Sequence, residues 1–87
     1  MIKQKGIVKF GAFVFNDVEV EYISFVDRTG MKWSGGLTLP EEYTLVVGAI
    51  CKLLLDNGKR ATIRIEQKSE SYEGNIWYGF NVIGTLE

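Results

Sequence analysis

The pattern of apolar and polar positions predicts structure most directly between residues 49 and 66, where two apolar, β-branched-rich runs flank Asp56-Asn57-Gly58. Such a turn between alternating runs is typical of a β-hairpin. A two-residue loop would mix apolar and charged side chains on both faces, because a one-residue slip moves each side chain to the opposite face. We therefore predict a three-residue loop, with Gly58 in the left-handed region.

This register gives the hairpin an inner and an outer face. The predicted cross-strand pairs are Leu55 with Lys59, Leu53 with Ala61, Cys51 with Ile63 and Ala49 with Ile65. The inner face is then almost wholly apolar, so it is predicted to be core. The outer face carries what we call the basic stripe, which consists of Lys52, Arg60 and Arg64.

The remaining sequence also follows the two-residue period of β-strands. Further strands are predicted over residues 5–15, 18–26, 31–39 and 75–83. Short strands separated by turn signals at regular spacing are typical of barrels and sandwiches. The sequence therefore predicts an all-β domain over residues 1–87, either a small antiparallel six-stranded barrel or a strongly bent β-sandwich, with at most one short helical turn.

Irregular positions mark where the strands bend or end. Gly11 is predicted to form a bulge or bend, and Asn16-Asp17 the first turn. The adjacent Gly35-Gly36 pair predicts a bulge, a barrel corner or the close approach of another backbone. Pro40-Glu41-Glu42 is the one place that suits a helical turn, because proline and acidic residues favour a helix start.

The second predicted strand changes its apolar side along its length. Val18, Val20 and Tyr22 lie on one face, whereas Ile23 and Phe25 lie together on the opposite face. This pattern predicts either a second bend or a strand end that is covered on both faces.

Composition limits the chemistry. The 87 residues include no histidine and one cysteine, and the net charge is −1. The lack of histidine removes the commonest general base and metal ligand, so we predict no catalytic activity, no metal site and no cofactor. A near-neutral chain lacks the field that recruits nucleic acid, so that partner is not expected. The N-terminal sequence has no signal-peptide pattern and no apolar run spans a bilayer, which predicts a cytoplasmic protein without membrane contact.

Two interpretations of the role of the basic stripe remain open. Arginines on one strand face can grip phosphate or carboxylate groups through paired donors. Alternatively, Lys52, Arg60 and Arg64 form ordinary surface pairs with Glu19 and Glu21 of a neighbouring strand.

The role of the Trp77 side chain also has two interpretations. Its face carries Gly79 and Asn81, which leave room for a base or a partner's side chain to stack on the indole. The alternative is core or rim packing, the usual role of an aromatic residue in a small β-protein. Trp33 lies in the apolar phase of its strand and is predicted to be core.

The chain resembles short bacterial β-proteins of unassigned function. The likeness lies in Trp33-Ser34-Gly35 followed by LTLPEE, in LLLDNGKRATIRIE after Gly48, and in the closing FNVIGTLE. More remotely, residues 27–31 (DRTGM) and the segment VVGAICKLLLDNG are similar to PilZ domains, which are six-stranded barrels that bind cyclic di-GMP. Where PilZ domains carry paired arginines ahead of the first strand, this chain has Lys3 and Lys5.

These observations predict a non-catalytic binding module. The expected partner is another protein, or a second copy of the chain, docked through a strand edge or through residues 43–47. The first alternative is a PilZ-like binder of an anionic ligand such as a cyclic dinucleotide, with Lys52, Arg60, Arg64 and Trp77 as candidate ligand-binding residues. The second alternative is weak binding of single-stranded nucleic acid on a barrel face.

Overall fold

Two-residue alternation continues through most of the chain, and in the computed structural model, which describes residues 1–87, it produces six β-strands and no helix. The strands are β1 (Ile2–Phe10), β2 (Phe13–Asp27), β3 (Gly30–Pro40), β4 (Ile50–Leu55), β5 (Arg60–Lys68) and β6 (Asn75–Ile83). They form a closed barrel in the order β1-β2-β3-β6-β5-β4, and every pairing is antiparallel. The predicted six-stranded antiparallel barrel is confirmed.

The core consists of inward side chains of all six strands together with Leu45 and Ala49 of the connection between β3 and β4. Seventeen buried hydrophobic residues form one cluster, and no polar or charged residue is buried among them. Its largest fully buried side chain is Tyr78 of β6. In β6, Ile76, Tyr78 and Phe80 are buried on one side of the strand, whereas Trp77 lies on the other.

The β4–β5 hairpin has the predicted register. Cys51 pairs with Ile63 and Leu53 with Ala61. The N–H of Leu55 donates to the Lys59 carbonyl over 2.7 Å, which closes the three-residue loop. Gly58 has a φ of 88°, a conformation that side chains with a Cβ avoid. All the inner-face residues predicted from this register are buried: Ala49, Cys51, Leu53, Leu55, Ala61, Ile63 and Ile65.

The first turn lies elsewhere than predicted. Phe10 pairs with Phe13, so the turn between β1 and β2 is Gly11-Ala12, with Gly11 at a φ of 59°. Asn16-Asp17 is instead a bulge within β2, where these two residues lie opposite Ile7 alone. Asp17 adopts a φ of 53° there. The prediction of a turn was wrong because the left-handed conformation that Asn and Asp tolerate serves bulges as well as turns.

The connection from β3 to β4 closes one end of the barrel. No helical turn forms at Pro40-Glu41-Glu42, which is a β-turn closed by the Tyr43 N–H donating to the Pro40 carbonyl over 3.0 Å. Leu45 then inserts into the barrel and is 1% exposed. Its N–H donates to the buried Tyr78 Oη over 3.1 Å, so the core tyrosine holds the connection in place.

Gly35 and Gly36 allow two different close approaches, without a bulge. The β2–β3 register is continuous through both glycines. A Cβ on Gly35 would overlap the Glu21 carbonyl oxygen of β2, whereas one on Gly36 would overlap the indole of Trp77. Of the three predicted explanations, the close approach of a neighbouring backbone therefore holds at Gly35.

The β2–β3 hairpin extends beyond the barrel. β1 pairs with β2 only up to Tyr22, and β6 pairs with β3 only from Ser34 onward. Residues 23–33, here called the projecting hairpin, therefore pair only with each other. The molecule measures 37 × 24 × 24 Å. The chain contains no helix with the length and hydrophobicity of a membrane span.

Candidate binding surfaces

The basic stripe lies on the outer face of the barrel, and its three side chains are exposed as predicted. Barrel closure brings β1 beside β4 and thereby adds residues to this face. Three cross-strand rows result: Ile7, Leu54 and Arg60; Lys9, Lys52, Thr62 and Ile83; Ile50, Arg64 and Asn81. Lys9 was not among the predicted residues, because its pairing with β4 joins strands that are not consecutive in the chain.

Lys52 and Arg60 line an open groove, whereas Arg64 does not. The groove has a volume of about 600 Å³ and contains Lys9, Thr62 and Glu87 as well. The Lys52 ammonium donates to the Thr62 hydroxyl over 2.7 Å. Arg64 lies in the next row, where its guanidinium is 3.7 Å from the Glu66 carboxylate. Two of the three stripe residues therefore share one site.

Glu19 and Glu21 do not neutralise the basic stripe. In the β1–β2 register they lie opposite Lys5 and Lys3. The Lys5 ammonium is 3.6 Å from the Glu19 carboxylate. The alternative in which these two glutamates pair with the stripe is therefore wrong, since neither β4 nor β5 adjoins β2.

Trp77 is also on the outer surface of the barrel, but it lies away from the groove. Arg64 lies opposite Asn81, four residues along β6 from Trp77 or roughly 13 Å at the rise of a strand. The indole covers Gly36 and is 37% exposed. It lines a second groove with Lys3, Lys5, Glu19 and Glu21. Trp77 therefore cannot join Lys52 and Arg60 around one small ligand.

Residues 43–47 form part of an apolar surface at the closed end of the barrel. The Tyr43 ring lies 5.3 Å from the ring of Phe15, which in turn is 6.5 Å from that of Phe13. Val46 and Val47 are exposed, but Leu45, which directly precedes them, is buried. This segment is a loop whose position is set by the core, so it offers no strand edge to a partner.

The projecting hairpin is apolar on both faces. Ile23 and Phe25 are exposed on the outer face, and Val26 and Met31 on the face that continues the barrel interior. The β2–β3 register shows no bend here, so the change of apolar side at Ile23 reflects a strand end. The sequence pattern predicted cover on both faces, but within this chain only Trp33, at the base of the hairpin, is partly buried against the core.

The Asp27 carboxylate at the turn of the projecting hairpin accepts its hydrogen bonds from within the turn. The Thr29 hydroxyl donates to Asp27 Oδ1 over 2.7 Å, and the Thr29 N–H donates to the same oxygen over 2.8 Å. Together these bonds hold the pKa of the Asp27 carboxyl below its usual value, and the bond from the Thr29 hydroxyl has the larger effect. Arg28 and Lys32 have no carboxylate within 4.0 Å. The tip therefore presents two cations outside any ion pair, of which Lys32 also helps to lower the Asp27 pKa through its charge.

Comparison of the chain with family models, curated proteins and solved structures finds no match. No match supports the expected likeness to short bacterial β-proteins or to PilZ domains, and what is shown is the six-stranded antiparallel barrel.

Proposed function

We propose that this domain is a non-catalytic protein-binding module whose docking element is the projecting hairpin. A single observation carries the proposal: residues 23–33 expose apolar side chains on both faces and have no strand beside either edge. A closed barrel otherwise removes its edges. Strand edges are also unpaired at the start of β1, at residues 13–18 of β2 and at the end of β5, but the projecting hairpin is the longest stretch in which neither strand has an outer neighbour.

The unpaired edges of the projecting hairpin indicate which backbone conformation a partner segment would adopt. Alternate residues of a strand direct their N–H and C=O groups away from the paired neighbour. An extended segment of another protein can accept and donate these bonds by β-strand addition. Its apolar side chains would cover Ile23 and Phe25, and acidic side chains would suit Arg28 and Lys32, which make no ion pair within the chain. The proposed occupant is therefore an extended, apolar and acidic segment of a partner protein.

Selection from a library of random displayed peptides tests this proposal. We expect the selected peptides to alternate apolar residues and to carry acidic ones. The F25K/V26K variant should weaken their binding at least tenfold, because lysines on an edge strand oppose strand addition. The matched control is F13K/V14K, which adds the same charges to another hairpin tip, where Phe13 and Val14 are 64% and 52% exposed. Equal losses in both variants would contradict the proposal.

Sedimentation equilibrium separates a partner protein from a second copy. A monomer that binds the selected peptides supports the proposal. A dimer that F25K/V26K dissociates and F13K/V14K does not would show that the hairpin binds itself, and the proposed heteromeric partner would then be wrong.

A further inference from the structure

The outer face of β1, β4 and β5 carries three cations outside any ion pair, although Glu87 lines the same groove and its N–H donates to the Arg60 carbonyl over 2.9 Å. Lys9 and Lys52 lie directly opposite each other on adjacent strands. Like charges in that position destabilise a sheet. The chain has 11 acidic residues for 10 basic ones, yet no carboxylate lies within 4.0 Å of Lys9, Lys52 or Arg60. An anion bound between these side chains would remove the repulsion.

The register places a third cation near this pair. Arg60 pairs with Leu54, so it is diagonal to Lys52, and its guanidinium donates no hydrogen bond within the chain. Diagonal neighbours in a sheet are about 7 to 8 Å apart, within reach of long side chains. The bond from Lys52 to the Thr62 hydroxyl directs the ammonium toward β5, which carries Arg60. All three cations line the same groove.

The shape of the groove indicates what kind of anion fits. Neighbouring strands are about 5 Å apart, so cations on three strands suit two linked anionic groups better than one. Its apolar lining includes Ile7, Leu54 and Ile83. A volume of about 600 Å³ lies within the range of small-molecule sites.

We propose that this groove binds the diphosphate group of a small organic molecule. Lys9 and Lys52 hold the two phosphate groups as point charges, and the Arg60 guanidinium donates paired hydrogen bonds to one of them. The apolar lining contacts the organic part. This site is independent of the projecting hairpin and of the protein partner proposed for it.

Calorimetric titration at low and at physiological ionic strength tests the proposal with inorganic diphosphate, orthophosphate and adenosine diphosphate. Diphosphate should bind at least tenfold more tightly than orthophosphate, and adenosine diphosphate at least as tightly as diphosphate. The K9Q/K52Q variant should weaken diphosphate binding at least tenfold. Its matched control, K5Q/K68Q, removes the same charge outside the groove and should change binding less than twofold.

Three results would overturn the proposal. Equal losses in the two double variants would show attraction by the overall charge rather than a site. Tighter binding of orthophosphate would contradict the requirement for two linked groups. Binding of a single-stranded oligonucleotide alone would assign the face to nucleic acid. The melting temperature of K9Q/K52Q serves as the control for folding. Relief of the Lys9–Lys52 repulsion predicts a value at or above that of the wild type. If K9Q/K52Q does not fold, K9Q alone takes its place in the titration.

Discussion

The indole of Trp77 occupies the space that a side chain on Gly36 would fill. Gly36 and Gly79 lie opposite each other on β3 and β6, and a Cβ on either would contact this ring. Trp77 is therefore a surface aromatic residue seated on two glycines. The sequence alone left open whether it packs or binds, and in the structure it packs while keeping part of its ring exposed.

The two adjacent glycines should respond differently to alanine. In Gly36→Ala the indole of Trp77 can move outward, and we expect a loss of about 1 to 2 kcal/mol with a change in tryptophan fluorescence. In Gly35→Ala the methyl group meets the β2 backbone, which is held by strands on both sides, so the loss should be larger. Urea denaturation measures both. Equal losses in the two variants would contradict this account of the glycine pair.

Tyr78→Phe should loosen the loop that closes the barrel. The substitution leaves the Leu45 N–H without its partner, and an unpaired buried donor costs about 1 to 3 kcal/mol. Hydrogen exchange of Leu45 should accelerate as well. Tyr72→Phe is the matched control, since the Tyr72 side chain is exposed and its hydroxyl makes no hydrogen bond. A Tyr78→Phe variant as stable as this control would contradict the proposed role.

Gln4→Met should stabilise the barrel. Gln4 Oε1 is buried and has no hydrogen-bond partner. Replacing the amide with an apolar side chain of similar length removes that desolvation cost, so the free energy of unfolding should rise by about 1 kcal/mol. Lys5→Met is the control, because it removes only an exposed ion pair with Glu19. A loss of stability in Gln4→Met would show that the amide has a favourable role.

The buried Cys51 thiol makes stability depend on alkaline pH. Burial raises its pKa to about 11, from an ordinary value of 9.0. Below pH 9 the thiol is protonated in both states, so its contribution is fully present. As pH rises from about 9 to 11 the unfolded thiol ionises first, and up to about 2 to 3 kcal/mol is lost. Compared with wild type, Cys51→Ala should lose less stability over that interval.

Where one face of a strand is buried, the hydrophobic pattern of the sequence was sufficient to predict the strand and its register. The register of the β4–β5 hairpin followed from Leu53, Leu55 and Ile63, because a slip by one residue would have exposed them. The bulge at Asn16-Asp17 was missed since its residues suit a turn equally well. A glycine at the first central position, as at Gly11, is the signal that could have located the true turn.

The candidate site was harder to predict than the strands. Lys52 and Arg60 share a hairpin, so their common face could be read from local alternation. Lys9 reaches them only because β1 closes onto β4, and no local pattern specifies that pairing. Trp77 is separated from the groove along β6, because the β6 residues that lie beside Arg64 and Thr62 are Asn81 and Ile83. Which outward residues meet is therefore decided by the order of strands around the barrel.

That strand order also constrains how the chain folds. The strands β1-β2-β3 and β4-β5-β6 are two meanders built from sequential hairpins, and only the β3–β6 and β1–β4 seams join them. Loop-closure entropy opposes pairing between distant segments, so the hairpins should form before the seams. In φ-value measurements, substitutions in the Asp56-Asn57-Gly58 turn should then slow folding, whereas substitutions along the seams should mainly accelerate unfolding. The diphosphate groove straddles the β1–β4 seam, so it would be completed only at the last step of folding.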